Sequence, residues 1–384
     1  MLQLTDDIKI PNRKIKSILN DAVKSAAAIN LVYVNDAQPG ITRIKKGEHF
    51  HYFLGKRKVQ DKAILDRIKK LVIPPAWENV WICDLDNGHL QATGTDVKKR
   101  KQYKYHVLWN SLRNLTKFYR LYEFGKAIPA IRQQLEKDLS LPGLPVEKIL
   151  ATVVCLMEKT HIRIGNSAYE KLYGSFGLTT LKNKHVKIDE HKLQFMFKGK
   201  KGISHNINIK SKRLAKIVQS CRDIPGKELF QYYDSNGDHK CIDSGMVNTY
   251  IKNISGQDFT AKDFRTWAGT VHAISEFKAM LVGEADNESA SDSSLILAAP
   301  TAAETQKIIK KNIVTMLDQV AKHLGNTPTV CRKYYVHPLI IDLYEKNTLS
   351  PYLKKVGNKI MDKQFSSEEN ILMWILEKER TASI

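Results

Sequence analysis

The apolar residues of this chain change period near His106, and a strand and a helix cannot share one period. Before that point, residues 31–34, 49–54, 80–83 and 90–92 form short β-like runs, cut by turn signals at Gln38-Pro-Gly, Asp86-Asn-Gly and Thr93-Gly. Ile64, Leu65, Ile68, Leu71 and Val72 break the pattern and predict an amphipathic helix over 63–72. After His106 the spacing predicts helices over 108–124, ended by Gly125, over 128–139, and over 146–157, where Val146, Ile149, Leu150, Val153, Val154 and Met157 make a broad apolar stripe. The class is therefore α+β. A small N-terminal α+β domain (1–106), opening with a helix or arm marked by Ile15, Ile18, Leu19 and Val23, precedes a mainly α domain (107–384) with a small β element.

That β element is predicted over 178–209. Leu193, Phe195 and Phe197 alternate, Lys198-Gly-Lys-Lys-Gly202 turns, and Ile203, Ile207 and Ile209 return, giving a hairpin with a basic tip. Thr260 with Asp263 resembles a capping box and starts a helix to about 282, with Arg265 in its early turns. Glu284, Asp286, Glu288, Asp292 and Glu304, amid Ser and Ala without a base, predict a solvated acidic loop over 284–304. Ile309, Ile313, Met316, Leu317, Val320 and Leu324 mark a helix stopped by Gly325, and Thr327-Pro328 opens another carrying Cys331 to Tyr335. Ile371, Leu372, Ile375 and Leu376 suggest a final packing helix.

Composition bounds the partner. Of 384 residues, 61 are Lys or Arg and 40 are Asp or Glu, a net charge of +21, while 42% hydrophobic residues suffice for a core. No apolar stretch approaches the ~20 residues that span a bilayer, and Asp6 and Asp7 stand where a secretion signal needs bases. Cys83, Cys155, Cys221, Cys241 and Cys331 form no C-x-x-C, which argues against both a zinc site and a disulfide framework and fits a reducing cytoplasm. Such a charge calls for a polyanion, nucleic acid first.

Two constellations carry chemistry. Lys98, Lys99, Arg100, Lys101, Gln102, Tyr103, Lys104 and Tyr105 mix cations for phosphates with an amide and phenols able to meet bases or sugars. The second is scattered: Arg163, Lys200, Arg265 and a tyrosine in a helix near the end. Phosphoryl transfer to a tyrosine uses these types: two guanidiniums clamp non-bridging oxygens, a lysine protonates the departing alkoxide, and a phenol of reference pKa ~10 remains a good leaving group.

The strings Ile73-Pro-Pro-Ala-Trp77, His89-Leu-Gln-Ala-Thr-Gly94 with Asp96, Lys101-Gln-Tyr-Lys-Tyr-His106, Arg163-Ile-Gly-Asn166 with Tyr169, Gly177-Leu-Thr-Thr-Leu181, Asp263-Phe-Arg-Thr-Trp-Ala-Gly269 and Leu324-Gly-Asn-Thr-Pro328 with Arg332 and Tyr335 occur in order. The set resembles the type IB DNA topoisomerases, the compact bacterial branch most closely. The resemblance implies Arg163 and Arg265 as phosphate clamps, Lys200 as general acid with Lys201 as the alternative, and Tyr335 as nucleophile. Its neighbour Tyr334 would point about 100° away on a helix. Asn326 stands where poxvirus members have histidine, and an amide donates a hydrogen bond but carries no proton. The resemblance also implies DNA contacts from Lys98, Lys99, Arg100, Lys101, Gln102, Tyr103, Tyr105, Asn166, Tyr169, Lys201 and Lys262, and a clamp on double-stranded DNA. It further implies a monomer with no cofactor and no metal, cytoplasmic and associated with the nucleoid. Lys99 replaces the family's usual glycine, and Asn166 replaces the poxvirus lysine. Tyrosine recombinases share the Arg, Lys, Arg, Tyr chemistry but use H-x-x-R, where this chain has Lys262-Asp-Phe-Arg265, and their N-terminal domain is helical. An architectural DNA-binding protein would explain the charge but not the strings.

Overall fold

The alternating runs of the N-terminal part build one antiparallel sheet. The computed structural model describes residues 2–3, 9–10, 18, 21–97, 99–290, 301–355 and 362–382, the stretch 282–290 by its backbone alone. Leu2–Gln3 (β1) pairs with Lys9–Ile10 (β2), and a short helix, Ala22–Ala27 (α1), is capped by Asp21. Much of the expected N-terminal helix falls outside the described residues; Leu2–Gln3 and Lys9–Ile10 are strand. The sheet comprises Ile41–Lys46 (β3), His49–Leu54 (β4), Arg57–Lys58 (β5), Glu78–Ile82 (β6), Leu90–Thr95 (β7) and Lys101–Tyr105 (β8), in the order β5-β4-β3-β6-β7-β8. The helix Lys62–Lys70 (α2) covers it through Ile68, against Ile41, Val80, Ile82 and Ala92. Residues 31–34 make only the single bridge Val32↔Gly88, so the expected strand there does not form.

Two further differences have local causes. β3 escapes an apolar-pattern reading because Arg43, Lys45 and Lys46 occupy half of it; Arg43 is used structurally, donating to the carbonyls of Pro74 (3.0 Å) and Trp77 (2.7 Å) and so holding the Ile73-to-Trp77 string. The basic stretch, which its sequence marks only as cations and phenols, enters edge strand β8 after Arg100, paired Thr93↔Tyr103 with β7. Its alternation leaves Lys101, Tyr103 and Tyr105 exposed.

Helices dominate after His106. Val107–Leu139 (α3) is one helix, not two broken at Gly125. A Cβ at Gly125 would lie 2.3 Å from Met373 Sδ and 2.7 Å from the Trp267 ring, so this glycine lets elements cross closely and stops nothing. Pro129 is tolerated within the same helix. The chain forms two units, Met1–Tyr119 with Arg380–Ile384, and Arg120–Glu379, the division falling inside α3.

In the second unit Val146–Thr160 (α4) is buried along most of its length, from Ile149 through Met157, each fully buried aliphatic contributing roughly 1.5–3 kcal/mol. After Ser167–Tyr173 (α5) comes a sheet of Val186–Asp189 (β9), Lys192–Lys198 (β10) and Ser204–Lys210 (β11). The expected hairpin is present with Phe195↔Ile207 in register, and β9 adds a third strand. Lys212–Arg222 (α6), the pair Gln231–Tyr233 (β12) and His239–Cys241 (β13), and Ser244–Ser255 (α7) lead to Ala261–Ala290 (α8). α8 continues beyond the expected end near 282, so the first part of the expected acidic loop has a helical backbone; 291–300 lie outside the described residues. Thr301 and Glu304 form a capping box at the start of Ala302–Leu324 (α9), which Gly325 ends in the left-handed conformation. Pro328–Tyr334 (α10), Pro338–Glu345 (α11), Ser350–Lys355 (α12) and Ser367–Ala382 (α13) follow.

The purpose of the C-terminal segment, illegible in the sequence, lies in Glu369. Its carboxylate accepts from Arg132 Nη2 (2.7 Å) and Nη1 (3.1 Å) and from Trp267 Nε1 (2.9 Å). Burial pushes its pKa up, but these donors outweigh that and hold it below the ordinary glutamate value. Beside it Ile371, Leu372, Ile375 and Leu376 are buried as the spacing predicts. Glu369→Ala should destabilise the protein by about 2–3 kcal/mol in urea unfolding. A fully buried broken pair costs ~3–5 kcal/mol, and Arg132 keeps 31% of its side-chain exposure.

Candidate active site

Two helix ends and one helix face make the site. α4 ends at His161, which caps it in the left-handed conformation (φ 55°), and Arg163 follows two residues later. The Arg163-Ile-Gly-Asn string is pinned by the Gly177-Leu-Thr-Thr string: Leu178 N donates to Arg163 O (2.9 Å) and Thr179 N to Ile164 O (2.7 Å). Gly177 is required there, because a Cβ would stand 2.5 Å from Arg163 O. α9 ends at Leu324, and Gly325 and Asn326 turn out of it. Arg163 Nη2 donates to Gly325 O (3.1 Å) and to Asn326 Oδ1, joining the two exits.

Arg265 comes from the first turns of α8, begun by Thr260 N and Oγ1 donating to Asp263 Oδ2, each at 2.9 Å. The side chain, only 5% exposed, donates from Nη1 to His161 O and from Nη2 to Leu324 O (2.7 Å). Its guanidinium carbon lies 5.2 Å from the centre of the Tyr335 ring. Burial, and then the like charge of Arg265, lower the pKa of Arg163 to about 10, leaving it a cation at neutral pH. Arg265 Nε and Asn326 Nδ2 are buried donors without a protein acceptor among the described residues.

Tyr335 is not on a helix, as its sequence position suggested, but caps α10 with φ −129° and ψ −21°. Its carbonyl lies 3.1 Å from Thr270 Oγ1, which also accepts from His337 N at 3.2 Å. The sequence reading missed Thr270, although it adjoins the Asp263-to-Gly269 string. It also missed His205. This residue pairs with Phe197 across the hairpin, stacks on that ring with centroids 4.9 Å apart, and packs against the Gly325 turn. Burial first, then Arg163 and Arg265, lower its pKa. A histidine alternating with apolar residues on a strand gives no signal of its own.

The remaining predicted residues are exposed or belong to the first unit. Lys200 and Lys201 are exposed in the turn closed by Gly199 N donating to Ile203 O (2.8 Å), and Lys201 is left-handed (φ 63°); Lys200 makes no bond to Arg163, Arg265, Asn326 or Tyr335 among the described residues. Asn166, Tyr169 and Lys262 are exposed, and Asn166 Oδ1 accepts from Tyr169 N at 3.3 Å. In the first unit Lys98 lies outside the described residues. Lys99 pairs with Glu78 (2.6 Å), Lys101 with Asp36 (2.6 Å), and Asp96 holds Arg100 (2.5 Å) and Gln102 (2.9 Å). Tyr103 and Tyr105 stack with centroids 5.9 Å apart.

Comparison with known proteins sets this architecture among the DNA topoisomerases, a class of isomerases. Residues 99–358 match the family model for the catalytic core of eukaryotic DNA topoisomerase I, and 49–96 match that for the N-terminal domain of bacterial DNA topoisomerase IB. DNA topoisomerase 1B of Acanthamoeba polyphaga mimivirus is 32% identical over 314 residues, covering 80% of this chain and 88% of that protein. DNA topoisomerase 1B of Vaccinia virus (strain Copenhagen) is 26% identical over 275 residues, covering 70% and 77%. The chain belongs to the type IB DNA topoisomerase family. No described helix is long and apolar enough to cross a membrane.

Gly269 sets how closely Tyr335 approaches α8, since a Cβ there would stand 2.7 Å from Tyr335 O and 2.9 Å from Tyr335 Cβ. Alanine favours a helix over glycine by about 1 kcal/mol. Gly269→Ala should nonetheless lower stability in thermal melts by about 1–3 kcal/mol, the usual range for overpacking; a stabilised variant would contradict the contact.

Proposed function

We propose that this protein relaxes supercoiled duplex DNA by breaking and resealing one strand through Tyr335. The observation that carries this reading is the meeting of Arg265 with the Tyr335 ring beside the Arg163–Asn326 pair. The Tyr335 oxygen attacks a backbone phosphate, a P–O bond forms to the phenol as its proton passes to solvent water, and the P–O bond to the 5′ oxygen breaks. Lys200, or its neighbour Lys201, gives that oxygen a proton. The products are a 3′-phosphotyrosyl link and a 5′-hydroxyl, which reverses the step after the broken strand has rotated about the intact one. One phosphodiester replaces another, so the cycle needs no ATP.

Arg163 and Arg265 offset the charge gathering on the non-bridging oxygens, so a metal ion is not needed for it. Asn326 has a defined part. Its Oδ1 accepts from Arg163, which fixes the amide orientation and leaves Nδ2 to donate to a phosphate oxygen. It stabilises charge and transfers no proton. The basic strand β8 with Tyr103 and Tyr105, together with Lys98, Lys99, Arg100, Asn166, Tyr169, Lys201 and Lys262, contacts the duplex, the two units acting as a clamp worked by a monomer.

Relaxation of supercoiled plasmid in EDTA without nucleotide tests the reading, and wild type should relax it. Tyr335→Phe should bind DNA normally yet trap no covalent adduct, and Arg265→Ala should cleave roughly 10²–10³ times more slowly. Strand exchange between two specific sites would instead favour a recombinase, and binding without any adduct an architectural protein. Affinity should fall by ~10³–10⁵ between 50 and 200 mM salt if ~6–10 phosphates are contacted; a flat response would contradict the clamp.

A further inference from the structure

Three histidines outside the proposed chemistry converge in the second unit. His161 caps α4, His272 lies on α8 two turns beyond Arg265, and His323 is in the last turn of α9. One ring nitrogen from each lies within 4.8 Å of the other two. The ring centroids are 3.5 Å apart for His272 and His323, 4.7 Å for His161 and His323, and 5.5 Å for His161 and His272.

We propose that His161, His272 and His323 form a binding site for a divalent late first-row transition ion of the zinc type. Imidazoles brought together inside a fold normally give a ring N–H to a carboxylate or carbonyl. Among the described residues no such bond to any of these rings is formed, and the charged groups facing them are one another and Arg265, without a carboxylate. What they share is one small space. Tetrahedral zinc with Zn–N of ~2.0–2.1 Å needs nitrogens about 3.3 Å apart, which small side-chain rotations reach from the present spacing. Three neutral nitrogens suit Zn²⁺, Ni²⁺ or Cu²⁺ and give Mg²⁺ or Ca²⁺ no oxygen ligand. His323 is exposed, so an ion can enter and a water can complete its shell.

The place gives the ion a structural effect. His161 supplies one carbonyl that holds Arg265, and Leu324, next to His323, supplies the other. A bound ion ties these two helix exits to the helix that carries Arg265. The positive charge of Arg265 opposes the ion, so binding should be of moderate strength and reversible by EDTA. The site does not rest on the reading of Tyr335, and the relaxation reaction does not require it.

The test uses the full chain, stripped with EDTA and desalted, titrated with ZnCl₂ in a calorimeter. One saturable site with a dissociation constant in the micromolar range is expected, and a melting temperature that rises with zinc. His323→Gln, at an exposed position, and His272→Gln should each weaken binding by about 10-fold or more and remove the zinc-dependent rise, while the exposed His191→Gln changes neither. The melting temperature without metal shows whether each variant is folded; should His272→Gln not fold, His323→Gln decides. Absence of saturable binding to wild type, or undiminished binding to the folded histidine variants, would overturn the site.

Discussion

A buried guanidinium bonded to two helix ends organises this protein's second unit. The last carbonyls of a helix lack partners within it and carry the negative end of its dipole. α4 and α9 both leave at one buried point, and Arg265 meets them there through His161 O and Leu324 O. An unpaired charge in such a place would cost several kcal/mol. Each side needs the other: the carbonyls make a 5%-exposed arginine tolerable, and the arginine fixes where both helices stop. Arg163 and Asn326 each follow two residues after one of those carbonyls, so their mutual bond closes a ring that the exits have already set.

Tyr335 is positioned by the same helix as Arg265, through the close approach at Gly269 and the bonds at Thr270. Leaving the helical conformation at Tyr335 brings its ring beside the guanidinium, so the separation of tyrosine from arginine depends on α8 more than on α10. α8 is in turn steadied by Trp267, two residues from Arg265, which packs on Gly125 and donates to Glu369. A contact network thus runs from the C-terminal helix to the site without any of its members touching substrate in the proposed reaction.

The sequence carried the class of the fold, the change of period and the ordered strings, hence Arg163, Arg265, Asn326 and Tyr335. It misled where packing overrides local preference. Gly125 reads as a stop because glycine favours helix ends, yet here its missing side chain admits Trp267 and Met373. β3 was hidden because its cations sit where apolar residues would mark a strand. Helical spacing put Tyr335 on α10, whereas its torsion angles leave the helix there, with its carbonyl 3.1 Å from Thr270 Oγ1, far away in sequence. His205 and the three clustered histidines come together only through tertiary structure.

The net charge of +21 proves to be partly engaged at the surface expected to meet DNA. Lys99, Arg100 and Lys101 each already hold a carboxylate, from Glu78, Asp96 and Asp36. The exposed Lys99–Glu78 pair is worth at most about 1 kcal/mol, so a phosphate can replace Glu78 at little cost, whereas Asp36 is half-buried and also accepts from Thr93 Oγ1 at 2.8 Å. Asp96 differs: it is largely buried and binds Arg100 and Gln102 together, which makes it a brace for the turn before β8 rather than an exchangeable partner. Held by Asp96, Arg100 also shapes the edge that presents Lys101, Tyr103 and Tyr105.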